Sequence, residues 1–203
     1  MWRFNSLHRV ALDVYNWLLP LVTINILWFL LSLTVVLMPP ATAALYEIAY
    51  LAKKGHDPDI QAFLAAIRRW LLKSWLWGAG YLLLVVLVWV ALQFYTAQQN
   101  PIGNLLLTVT GAILIFISLV EFYHWPYMMA QETPHHVWAV RNAAFTVLAD
   151  PLMPLIYGGI TLLLFLVSVV LIAPMVLITP TVAVFLGVYS VLDWLEHHSL
   201  LTI

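Results

Sequence analysis

The feature that most constrains this chain is a series of long apolar runs almost free of charge. Trp17 to Met38, Ser74 to Tyr95 and Leu152 to Ile172 contain no Asp, Glu, Lys or Arg, and Leu105 to Trp125 contains only Glu121. About 20 such residues in a helix cross roughly 30 Å of hydrocarbon. A helix also satisfies its own backbone hydrogen bonds, which lipid cannot do for it. A fifth stretch, Thr181 to Leu195, is shorter and runs into Asp193 and Glu196. An outer-membrane barrel would instead show ten-residue strands of alternating polarity.

Composition removes the other classes. Of 203 residues, 64% are hydrophobic and 8% charged, against about 25% charged in soluble domains. Eight Lys and Arg with nine Asp and Glu cannot solvate the surface of a soluble protein of this size. That excludes a soluble enzyme, a disordered chain and a coiled coil. A nucleic-acid partner is not expected, because the basic surface it requires is missing. There is no cysteine, hence no disulfide, thiolate metal site or lipidated Cys anchor. No Walker A loop is present, and no cofactor is expected.

The basic residues set an orientation. Arg3, Arg9, Lys53, Lys54, Arg68, Arg69, Lys73 and Arg141 avoid the connections near Thr96–Asn104 and Ala173–Pro180. Lys and Arg mark the cytoplasmic side of a membrane. The N-terminus, residues 53–73 and residues 127–150 are therefore expected inside, and so is the C-terminus. If the first span exits, the chain must return before Lys53. Pro39-Pro40 reads as a helix break, and Ala41 to Ala52 reaches only about 18 Å. It is expected as a short, broken helix that spans or re-enters. Residues 59–73 and 135–148 read as amphipathic connectors, with apolar faces of Ile60, Phe63, Leu64, Ile67 and Leu71, and of Val137, Val140, Ala144 and Leu148. Asp150 before Pro151 reads as a helix cap.

The expected fold is an all-α, polytopic transmembrane bundle forming one domain over residues 1–203. Its spans lie at about 17–38, 74–95, 105–125, 152–172 and 181–195, with 41–52 as the short broken helix.

The stretch Asn25–Ala44, NILWFLLSLTVVLMPPATAA, resembles the YesL-like family of small bacterial membrane proteins, a domain family of unknown function. The resemblance rests on Asn25 and Trp28 inside the first span and on Pro40, Ala41 and Ala44 at the break. The segment with Phe63, Arg68 and Arg69, and the later Asp150-Pro151, are also similar in layout. Such proteins are often encoded beside sugar-uptake ABC transporters, so the resemblance implies an accessory role in carbohydrate uptake. It implies no catalytic residue.

Four residues are candidates for a polar site: Asn25, Trp28, Glu47 and Tyr50. A buried Asn in a span either lines a cavity or bonds helix to helix. Glu47 is either a carboxylate at depth beside a helix break, as transporters use, or a solvated group near Lys53 and Lys54. Glu121 and His124 lie one turn apart, and Glu132 and His135 repeat that spacing. Paired Glu-x-x-His motifs on facing helices can hold metals, but Pro134 interrupts the second copy. Asp193, Glu196, His197 and His198 read as a solvated helix end.

Three functions follow as expectations. The first is a non-enzymatic inner-membrane accessory protein whose partners are the bilayer, ABC sugar-transporter subunits and further copies of itself. The alternative is a small transporter or channel using the polar site near the broken helix. The third is an intramembrane metalloenzyme using Glu121 and His124.

Overall fold

The computed structural model describes residues 2–98 and 100–198, with side chains from Ser6 onward. Among them every regular element is a helix: α1 (Trp2–Asn16), α2 (Leu18–Ser32), α3 (Met38–Lys53), α4 (Ile60–Ala97), α5 (Pro101–Ala130), α6 (His136–Ala149), α7 (Leu152–Leu171), α8 (Ala173–Leu177) and α9 (Thr179–His197). Three are long and apolar enough to cross a membrane: α4, α5 and α7. The pair α1 and α2, bent by 88° at Trp17, adds a fourth if it counts as one broken span.

Two stretches differ from the expected spans. The first run does not continue to Met38. It forms the 15-residue α2, about 22 Å long, and then a turn in which Val35 takes a left-handed φ of 58°. The last run forms α9, but most of that helix is buried, packed against α1, α3, α5 and α7. It is the axis of the core rather than a face offered to lipid.

Residues 39–52 are not a broken helix. Met38–Lys53 is continuous, and the two prolines lie in its first turn. The first N–H groups of a helix have no intrahelical acceptor, so proline loses nothing there. The break lies one turn earlier, at 33–37. Small side chains at Ala41, Ala43, Ala44, Ala49 and Ala52 are buried, so α3 sits close against α4 and α9.

The amphipathic connector and the second span are one helix. Asp59 caps it, accepting from Ala62 N–H at 3.0 Å, and neither Gly nor Pro interrupts residues 60–77. Its buried face is Phe63, Ala66, Ile67, Trp70 and Ser74, whereas Ile60, Leu64 and Leu71 are exposed. The expected face is therefore rotated, because Glu47 on α3 draws Trp70 inward. In α6 the buried residues are Ala139, Ala143, Thr146 and Val147. Val137, Trp138, Phe145 and Leu148 of the same helix point outward. The N-cap position of α7 is Pro151; Asp150 closes α6 instead, its N–H reaching Thr146 O at 2.9 Å.

The turn at 33–37 reaches only part of the way along α4. Trp75 Nε1 donates to Val36 O at 2.8 Å, and Pro39 rests beside Gly78. Beyond that contact, Ala79 to Ala97 rises a further 28 Å or so, about the thickness of a bilayer core. α5 returns alongside it, its turn capped by Asn100, which accepts from Gly103 N–H at 2.7 Å. Among the described residues from Trp75 to Leu119, Gly103 alone is buried. The α4–α5 hairpin thus projects an apolar, uncovered surface from a packed base. Inside that base Pro126 deprives Phe122 O of its helical donor, and Gly187 lets α9 pass close beside that carbonyl.

Candidate functional site

The candidate polar residues do not converge. Asn25 lies on α2 and is fully buried. Its Nδ2 donates to Val176 O at 2.7 Å and Met175 O at 3.3 Å. Its Oδ1 accepts from Thr181 N–H at 3.2 Å and Thr181 Oγ1 at 2.8 Å. All of its bonding capacity goes to joining α2 to the α8–α9 turn. Trp28, one turn on, donates from Nε1 to Thr42 Oγ1 at 3.0 Å and joins α2 to α3.

Glu47 faces the other way, toward α4. Its carboxylate is buried and accepts from Arg69 at 2.6 Å and from Trp70 Nε1 at 2.5 Å. Arg69 itself is 64% exposed, so the pair joins the core to an open surface. Lys53 and Lys54 do not serve Glu47. Lys53 turns to Asp193 and Glu196, and Lys54 lies over the Tyr50 ring at 4.7 Å.

A cleft of about 400 Å³ opens over this pair. Tyr50 and Trp70 line one side, and Met128 near the end of α5 lines the other with Gln131 and Glu132 just after it. Lys73 closes one edge, with Nζ donating to Pro134 O at 3.1 Å and lying 5.6 Å from the Trp70 ring. Of the four candidates, Glu47 and Tyr50 share this cleft; Asn25 and Trp28 stand apart from it.

Glu121 and His124 are not a pair. Trp77 Nε1 donates to both Glu121 oxygens at 3.0 and 3.1 Å. His124 is fully buried, stacks on Trp77 at 3.8 Å and meets His136 with Nε2 to Nδ1 at 3.0 Å. His136 Nε2 contacts Lys73 O at 3.1 Å. A carbonyl only accepts, so neutral His136 carries its proton on Nε2 and accepts at Nδ1 from His124. Burial holds the His136 imidazole below its ordinary pKa, and the nearby Lys73 and His135 act in the same direction, against its bond to Lys73 O. Among the described residues no group of three or more His, Cys, Asp or Glu is placed to hold a metal ion. Glu132 and His135 are exposed.

The end of α9 is solvated only in its last turn, where His197 and His198 are exposed. Asp193 is buried and accepts from Ser6 Oγ and Lys53 Nζ, with Arg9 at 3.6 Å. Tyr189 donates to Asp13 at 2.7 Å. These bonds bind α1, α3 and α9 at the same end of the bundle as the Glu47 cleft. Sequence reading did not find Arg69, Trp70 or Lys73 as partners of the site, nor His136. The signal available was the i, i+4 spacing of Arg69 and Lys73 beside Trp70.

Three helices long and apolar enough to cross a bilayer, above a polar cleft at the basic end, define this as a helical membrane protein. Within that class, residues 21–94 match the family described as "Protein of unknown function, DUF624". The match covers α3 and nearly all of α2 and α4, including Glu47, Arg69 and Trp70, but not the α5 wall of the cleft. No curated protein and no solved structure matches the chain.

Proposed function

We propose that this chain is a non-enzymatic, YesL-like protein of the bacterial inner membrane, accessory to carbohydrate uptake by an ABC transporter. The observation that carries the non-enzymatic reading is that the candidate polar residues are already bonded within the bundle. Asn25, Trp28, Lys53 and Asp193 bond helix to helix, and the Glu47 carboxylate already has two donors. These are the bonds of a scaffold, not of a base or nucleophile held ready for chemistry. The accessory role is supported by the resemblance of Asn25–Ala44 to the YesL-like family. The end bearing Arg9, Lys53, Arg69 and Lys73 faces the cytoplasm on the positive-inside argument. In this reading the paired helices α2–α3, α4–α5 and α7–α9 each leave and return, so both termini are proposed on that side. Lipid and further copies of the chain cover the bare α4–α5 hairpin.

The test is purification of the tagged full-length protein from native membranes in mild detergent. Permease subunits of a sugar transporter are expected to copurify in near-stoichiometric amount. Their repeated absence would remove this reading. The transporter or channel reading draws on the cleft that leads from the surface to Glu47. Proteoliposome flux unaltered in Glu47→Gln would exclude that residue as its site.

A further inference from the structure

We propose that the cleft over Glu47 binds a phosphate group at the depth of the lipid headgroups. The depth follows from the sequence around it. Arg69 and Lys73 occupy the last turns of α4 before the charge-free stretch that begins at Ser74, and Gln131 directly follows the end of α5. Both spans thus leave the apolar layer at the cleft. Trp70 and Trp125 cross edge to face there, 5.8 Å apart, as interfacial aromatics do.

The chemistry follows from which donors remain. Arg69 gives one N–H to Glu47 and keeps others on a largely exposed guanidinium. Lys73 gives one to Pro134 O and keeps two. Gln131 accepts from His135 N–H through Oε1, while its Nε2 is buried without a partner. Two cationic donors, Arg69 and Lys73, therefore face one cleft, and the Gln131 side chain lies in its wall. The buried acceptor, Glu47, is already filled, and Glu132 is a solvated carboxylate at the rim. A tetrahedral dianion or monoanion with several acceptor oxygens matches that set, and Arg and Lys are its usual partners. An anionic phospholipid and a soluble phosphate ester share this chemistry. The inference does not depend on the accessory role.

The sign of one substitution makes the proposal testable. Glu47 competes with an incoming anion for Arg69, so Glu47→Gln should tighten binding. A cation site would behave oppositely and lose its ligand. Native mass spectrometry of the detergent-solubilised full chain would measure retention of dioleoyl phosphatidate against dioleoyl phosphatidylcholine. The expected result is preferential retention of phosphatidate, about tenfold weaker in Arg69→Gln and in Lys73→Gln, and stronger in Glu47→Gln. Lys73 is exposed, so its variant keeps the test valid should Arg69→Gln fail to fold. Competition by excess inorganic phosphate assigns a soluble phosphate; persistence of the lipid assigns the headgroup, and either supports the site. Loss of binding in Glu47→Gln, or retention indifferent to Arg69 and Lys73, overturns it.

Discussion

Replacing Asn25 by Leu removes one side chain but four hydrogen bonds. Two run to the carbonyls of Met175 and Val176, and two come from the backbone and hydroxyl of Thr181. Thr181 lies in the first turn of α9, where its N–H has no helical acceptor, so Asn25 satisfies a helix end as well as joining two hairpins. Interhelical bonds in membrane proteins average about 0.6 kcal/mol, and typical bonds in water about 1 kcal/mol. The four together give a loss of about 2–4 kcal/mol for Asn25→Leu. Asn25→Asp has nearly the same shape but sets a carboxylate against two carbonyls, and is expected to cost at least as much. Thr181→Val alone should cost about 1 kcal/mol, and the double variant less than the sum of the two singles. Reversible unfolding in mixed detergent–SDS micelles measures all of these. A loss below about 0.5 kcal/mol for Asn25→Leu, or full additivity with Thr181→Val, would refute the argument that this cluster holds α2 to α9.

Other outcomes follow from the same structure. Asp193→Asn leaves Lys53, only 7% exposed at its side chain, with Glu196 at 3.8 Å in place of its close carboxylate partner; unfolding should be easier by about 3 kcal/mol, with part regained in Lys53→Met/Asp193→Leu. At Gly103 an added Cβ would lie 2.4 Å from Gln98 O, whereas at Gly111 it meets nothing. Gly103→Ala should therefore lower the melting temperature, and Gly111→Ala should leave it unchanged or raise it. His136 has a folded pKa below its ordinary value of about 6.5. The unfolded chain then binds the proton first, so stability is full above pH ~6.5 and falls as the pH drops through that value. Melting curves of the wild type and His136→Gln across that window should differ in slope, the variant being flatter.

The apolar runs made the helical membrane class legible because hydrocarbon demands length and the absence of charge, both of which are written locally. Individual boundaries were less so. Pro39-Pro40 reads as a break because proline ends a helix from inside, yet here it begins one, and the actual break falls at Val35 among good span formers. The connector at 59–73 reads as an amphipathic helix leading into a span, and since no residue stops the helix before Ala97 the two are one element. Site partners were the least visible part. Glu47 and Arg69 are 22 positions apart and meet only because α3 packs antiparallel to α4. Likewise Asp193 looks like a surface charge until Ser6 and Lys53 arrive from two other helices. Local patterns carry environment; the pairing of polar groups depends on how hairpins stack.

The central claim is that the Glu47 cleft and all the basic connections lie on one side of the membrane, with the α4–α5 hairpin crossing to the other. Since the chain has no cysteine, single cysteines report this directly. Ile102 lies at the exposed far end of the hairpin. His56 and Thr133 are exposed in the two connections at the base. With a membrane-impermeant maleimide on intact cells, Ile102→Cys should label, and His56→Cys and Thr133→Cys should label only after permeabilisation. External labelling at His56, or equal labelling at all three positions, would contradict the account.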